Sequence, residues 1–185
     1  MSRVPLLASS TLSAEYAGIY EAFVESYGPF RNQAAVLAHV PPALEHLSKL
    51  LLELKARQGL NARYVELAIV VTSKLNACRY CIAHHAPKLA VAGLSEAAVA
   101  ALPQAEHADL DAVDRLVIAY AIAVSETPGR IAEAMFDRLR QHFSDAQIVE
   151  LTLRIALCGA YNRLTEALAI DSELEVAEPA PVAAK

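Results

Sequence analysis

Apolar residues recur at three- and four-residue spacing through most of the chain, and polar breaks divide that pattern into helices. From Thr11 to Tyr27 one face carries Leu12, Tyr16, Ile19, Tyr20 and Phe23, and Gly28-Pro29 is the stop. A shorter apolar segment spans Ala34 to Val40. Pro41-Pro42 then opens a longer helix through Leu44, Leu47, Leu50, Leu51 and Leu54, stopped near Gly59. Asn61 is placed to cap a helix through Val65, Leu67, Ala68, Ile69, Val70 and Val71, apolar on nearly every side and therefore deeply buried, which loosens at Lys74-Leu75-Asn76. The helical pattern resumes from Cys78 to Ala92 and ends at Gly93, with Pro87 expected to kink it or force a restart. Ser95 caps a short helix that Pro103 closes. After a polar connector, Leu110 to Val124 reads as helix, and Thr127-Pro128 is the N-cap and first position of another that ends near Phe143. Ser144 and Gln147 have capping-box spacing and open a final long helix through Ile148, Leu151, Ile155, Cys158 and Leu164. The pattern predicts an all-α helical bundle, a single domain over residues 1–170. Glu173, Glu175, Glu178, Pro179 and Pro181 predict a solvated, disordered acidic and Pro-rich tail over 171–185.

Composition narrows the function. With 185 residues, 55% of them hydrophobic, the chain can bury a sizeable core, and only 6 Gly and no Trp beside abundant Ala and Leu favour helix over strand. The net charge is −5 and no run of Lys and Arg exceeds a pair, so neither nucleic acid nor a membrane surface is an expected partner. The N-terminal apolar patch is too brief for a signal-peptide core and no later run approaches a membrane span, which predicts a soluble, cytoplasmic protein. Three cysteines cannot form a disulfide framework, and the odd count fits a reducing compartment in which a pair is redox-active or metal-binding. Cys158, in an apolar helical stretch, reads as a buried inert thiol.

Chemistry gathers in one place. Cys78 and Cys81 lie three residues apart, followed by His84 and His85, with Glu66 twelve positions before Cys78. A helix starting at or just before Cys78, with Asn76 as its cap, sets Cys78, Cys81 and His85 on one stripe, and the positive end of its dipole favours thiolate over thiol. A thiolate attacks peroxide or disulfide, and a second thiol three residues on captures the sulfenic acid as a disulfide. Glu66, half-buried between Val65 and Leu67, is expected to have a raised pKa and to orient His85, giving a Glu–His–Cys proton relay. The bland readings are that Glu66 complements its own helix dipole and that His84 is an exposed neighbour of His85. Zinc on Cys78, Cys81, a neighbouring histidine and Glu66 is the competing site, but His39, His46, His107 and His142 show no second ligand pair. A purely structural disulfide is less favoured, because the bridged loop is tiny and the compartment reducing.

Glu66, eleven residues, Cys78-Arg79-Tyr80-Cys81, three residues and His85 resemble the signature of the alkylhydroperoxidase D family, within the carboxymuconolactone decarboxylase superfamily. The likeness is close over Asn61 to Gly93, the motif core, and looser at the Gly93-Leu94-Ser95 turn and the Asn162-Arg163 step. The resemblance implies an alkylhydroperoxidase D-like helical bundle that assembles as a trimer or hexamer. It also implies a thiol-dependent peroxidase with no cofactor, whose partners are a hydroperoxide substrate and a dithiol reductant. By the same resemblance Cys81 is the peroxidatic thiol, Cys78 the more exposed resolving thiol, and His85 with Glu66 the relay. One departure is Tyr80, where the family's best-studied peroxidases carry histidine before the second cysteine. Tyr80 can donate a hydrogen bond but is no base near neutrality, which leaves His84 as an auxiliary or turnover slower. Two other functions compete. A lactone-diacid decarboxylase needs an acid/base histidine and cations for carboxylates but no thiol pair, and a non-catalytic redox sensor would form the disulfide without turning over.

Overall fold

The computed structural model describes residues 2–28 and 30–174. Among them are nine α-helices and two single 3-10 turns: α1 (Ala14–Tyr27), α2 (Arg31–Leu37), α3 (Pro41–Arg57), α4 (Ala62–Leu75), α5 (Arg79–Val91), α6 (Glu96–Ala101), α7 (Ala112–Glu126), α8 (Glu133–Leu139) and α9 (Asp145–Leu168). The fold is all-α, as its periodicity predicts. None of these helices is long and apolar enough to cross a membrane.

Most boundaries follow from capping chemistry. The Asn61 side chain accepts from Arg63 N–H and starts α4, and Ser95 does the same for α6 from Ala98 N–H. Ser144 and Gln147 form the expected capping box of α9, and Asp111 with Asp114 forms another that starts α7. Gly28 and Gly93 close α1 and α5 at φ +61° and +89°, a backbone that side chains disfavour. Two boundaries differ from expectation, and a third point is resolved in part. Cys78, not Asn76, is the N-cap of α5, and Asn76 instead ends α4. Of the two outcomes expected at Pro87, a restart does not occur: α5 runs through it, with the ring exposed. The segment after Thr127 is broken: Pro128–Arg130 makes one 3-10 turn, Ile131 and Ala132 are extended, and α8 begins only at Glu133 and ends at Leu139. Thr127 makes no side-chain cap bond, so nothing fixes a longer helix there.

Buried side chains form two clusters. One joins α4, α7 and α9 through Leu67, Val70, Leu116, Ile118, Leu151 and Ile155; the other joins α1, α2 and α3 to the start of α5 through Phe23, Phe30, Leu44, Cys78 and Cys81. The stretch read as the beginning of a solvated tail is held over 171–174: Asn32 Nδ2 donates to the Asp171 carbonyl at 2.8 Å and Asn32 N–H donates to the Glu173 carboxylate. The rest of that tail, 175–185, lies outside the described residues.

Arg63 fixes how α4 and α5 lie together. Its guanidinium grips Asp114, fully buried, with Nη2–Oδ2 at 2.6 Å, and donates to the carbonyls of Ala92 at 2.7 Å and Asp109 at 2.9 Å. One side chain thus ties the first turn of α4 to the start of α7 and the end of α5. Replacing Arg63 by Met leaves a buried carboxylate unpaired, and urea denaturation is expected to show a loss of about 3–5 kcal/mol.

Candidate active site

Glu66 and His85 face each other across the seam between α4 and α5, with His85 Nδ1 2.6 Å from Glu66 Oε2, and Lys88 Nζ lies 3.5 Å from the other carboxylate oxygen. Burial raises the Glu66 pKa more than any other single effect does. The hydrogen bond and charge of His85, together with Lys88, outweigh it, so Glu66 titrates below the usual carboxylate range. This corrects the expected raised value, because burial alone does not decide it. Burial likewise dominates at His85 and holds its pKa below the ordinary imidazole value, against the pull of Glu66. The pair is therefore a carboxylate and a neutral imidazole: Nδ1–H donates to Glu66 and Nε2 keeps its lone pair.

Cys81 stands one turn before His85 on the same helix face, in the first turn of α5, where free backbone N–H groups and the helix dipole favour an anion. Both line a cavity of about 860 Å³ bounded by α1, α3, α4, α5 and α9. Cys78 does not line it. It is fully buried, with 0% exposure against 4% for Cys81, which reverses the order of exposure that the family resemblance implies; as N-cap, Cys78 is wedged into the cluster with Leu44 and Ile170. Its thiol is also not an activated one. A hydrogen bond to Cys81, then burial, then the nearby Cys81 charge raise the Cys78 pKa, so Cys78 keeps its proton and offers it to the Cys81 sulfur. All three cysteines are free thiols. Cys158 is buried, and its pKa is pushed up by burial to about 12, as an inert thiol requires, although it too borders the cavity.

Tyr80 and His84 belong to a separate network on the neighbouring face of α5. His84 is buried, not exposed: Nδ1 bonds the Tyr80 carbonyl at 2.7 Å and Nε2 lies 3.1 Å from Glu173, and its ring stacks on Tyr80 at 4.1 Å. Tyr80 donates to Glu173 at 3.2 Å, and burial, then the Glu173 charge, raises its pKa. Neither residue lines the cavity that Cys81 faces. Among the described residues no cluster of three or more His, Cys, Asp and Glu is arranged to hold a metal ion.

Sequence reasoning missed Gln33. This amide is 5% exposed and is anchored by a 3.0 Å bond to Thr165 Oγ1, with Nε2 at 3.9 Å from Cys81 Sγ. No local spacing links Gln33 to Cys81, 48 residues away. Lys88 was legible, since Cys81, His85 and Lys88 sit at i, i+4 and i+7. Phe30, with its ring 4.7 Å from His84 and 5.0 Å from His85, separates the two networks from a loop that carries no motif.

Residues 41–108, from α3 through α6, match the model of the carboxymuconolactone decarboxylase family. The fold is that of alkylhydroperoxidase D-like proteins, so the resemblance read from the sequence holds for the fold. An uncharacterized peroxidase-related protein from Ralstonia eutropha JMP134, with an alkylhydroperoxidase AhpD core, superposes with a TM-score of 0.78 at 24% identity over 92% of each chain. Another peroxidase-related protein, from Silicibacter sp. TM1040, gives 0.77 at 22% identity over 94% of this chain and 93% of its own. The debrominase Bmp8 in complex with 2,3,4-tribromopyrrole gives 0.76 at 20% identity over 94% of both. At these identities the likeness is one of fold. No curated protein matches the chain in sequence.

Two predictions follow from this geometry. Glu66 and His85 both bind protons less readily in the folded state, so each stabilises the fold above its unfolded pKa, and that stability is lost as pH falls. Urea midpoints should drop between pH 7 and 5, the window set by an unfolded imidazole near ~6.5 and its lower folded value, and His85→Asn should flatten that drop. Gln33→Leu removes a donor to Cys81 and is expected to slow alkylation of Cys81 by iodoacetamide about three- to tenfold at pH 7, read by peptide mass spectrometry.

Proposed function

We propose that the protein is a thiol-dependent peroxidase that reduces organic hydroperoxides through a Cys81–Cys78 dithiol/disulfide cycle. The observation that carries this reading is that Cys81 and His85 open on one cavity while burial keeps the imidazole neutral and Glu66 orients it. In the first step His85 Nε2 takes the Cys81 proton and the thiolate attacks the distal peroxide oxygen. The O–O bond breaks, Cys81 becomes a sulfenic acid, and the imidazolium returns the proton to the departing alkoxide, which leaves as an alcohol. Gln33 and the Cys78 thiol donate toward the Cys81 sulfur and stabilise its negative charge. Cys78 sulfur then attacks the sulfenic sulfur, an S–S bond forms and water leaves. A dithiol reductant supplies two electrons and two protons to restore both thiols, itself becoming a disulfide.

Burial of Cys78 away from the cavity fits a resolving role, since its sulfur meets the oxidised centre only from within. A decarboxylase would leave the raised, buried Cys78 thiol without work, and a sensor would leave the cavity without it.

In a coupled dithiol assay with cumene hydroperoxide, Cys81→Ser is expected to lose turnover by at least ~10³-fold. Cys78→Ser should complete one stoichiometric reduction and then stall at the sulfenic acid. Undiminished turnover in Cys81→Ser would end the peroxidase reading. Consumption of a lactone diacid by both wild type and Cys81→Ser would favour the decarboxylase, and a disulfide formed once without turnover would favour the sensor.

A further inference from the structure

The cavity beside Cys81 is far larger than a small peroxide needs, and its charge is at odds with the rest of the chain. The protein carries 21 acidic against 16 basic residues, yet the lining contains Lys55, Lys88 and Arg154 and only one acid, Glu66. Two of the three cations are already engaged. Arg154 is bound to Glu150 at 2.8 Å and to the Leu54 carbonyl at 3.0 Å, and Lys88 is 3.5 Å from Glu66. Lys55 has no carboxylate within ion-pairing distance among the described residues. It donates to the Ser26 carbonyl and hydroxyl, and its ammonium lies 5.0 Å above the Tyr27 ring. Lys88 sits over the adjacent ring, Phe30, at 5.3 Å, and the two rings pack edge-on at 6.2 Å. Lys55 is exposed and Lys88 partly so, whereas Cys81 is buried. The charges thus stand at the outer part of the wall and the thiol at its inner part.

Much of the remaining wall is apolar, including Phe23, Leu51, Leu54, Leu60, Val65 and Ile69. One polar group on this wall is unsatisfied: Tyr161 lines the cavity, and its hydroxyl is buried without a hydrogen-bond partner. Exposed cations, an apolar wall and a buried thiol on one cavity describe the complement of an amphipathic anion.

Resting on the peroxidase reading for its chemistry, we infer that the substrate is a long-chain organic hydroperoxide bearing a carboxylate, with the carboxylate at Lys55, the hydrocarbon along the apolar wall and the oxygenated carbon at Cys81. Neutral hydroperoxides then react without the anchor.

Two measurements test this. Calorimetric titration of Cys81→Ser with laurate and with methyl laurate reads the anchor without catalysis. Laurate is expected to bind about tenfold tighter than its ester at low salt, and Lys55→Met, introduced into Cys81→Ser, should bring the two within about twofold. In turnover by the thiol-intact protein, kcat/KM for linoleate hydroperoxide should exceed that for its methyl ester by a similar factor, and Lys55→Met should remove the difference through KM. Equal binding of acid and ester overturns the inference even where cumene hydroperoxide is reduced. Lys55-dependent laurate binding with no peroxide turned over upholds the carboxylate site and refutes the peroxidase instead.

Discussion

Glu66 and His85 share a hydrogen bond across the seam of two neighbouring helices, and the chemistry of the site depends on it. The partner decides the titration of Glu66, while burial decides that of His85. Burial by itself would push Glu66 toward the neutral acid, and the imidazole beside it reverses that outcome. Burial keeps His85 neutral even with a carboxylate at 2.6 Å, so the lone pair that faces away from Glu66 is available as a base near neutrality. The register of α4 against α5 makes this meeting possible, and Arg63 sets it from one turn earlier on α4, by holding the far end of α5 through the Ala92 carbonyl. The Arg63–Asp114 ion pair and the Glu66–His85 hydrogen bond therefore start from successive turns of one helix.

Helix α5 presents two polar systems at once, and they are separated by their angular position. Cys81, His85 and Lys88 face the cavity. Tyr80 and His84, each one residue earlier, turn toward Glu173 and the C-terminal segment. Tyr80 stands where the family's best-studied peroxidases have histidine, and its hydroxyl is bound to an acid outside the cavity, apart from the Glu66–His85 hydrogen bond.

Much of this was legible in the sequence, for physical reasons that differ by residue. Helix spacing put Cys81 and His85 on one stripe, and an Asn, a Ser and a capping box marked where α4, α6 and α9 begin, because caps act over three or four residues of chain. Errors arose where the deciding partner is remote. The pKa of Glu66 turns on a histidine 19 residues away, the burial of His84 on Glu173 beyond α9, and the surroundings of Cys81 on Gln33 in α2. The relative burial of Cys78 and Cys81 was misjudged because a helix pattern reports which face is shared, not which end of that face is plugged. The break after Thr127 was missed because proline at a first position is as compatible with one 3-10 turn as with a full helix.

Helix α9, 24 residues and roughly 36 Å long, is a member of both clusters. Ile148, Leu151 and Ile155 in its first half lie among α4 and α7, while Tyr161, Leu164 and Leu168 in its second half pack with α1 and α3. A rod shared in this way couples the melting of one cluster to that of the other, so heat should release both in a single calorimetric endotherm instead of two.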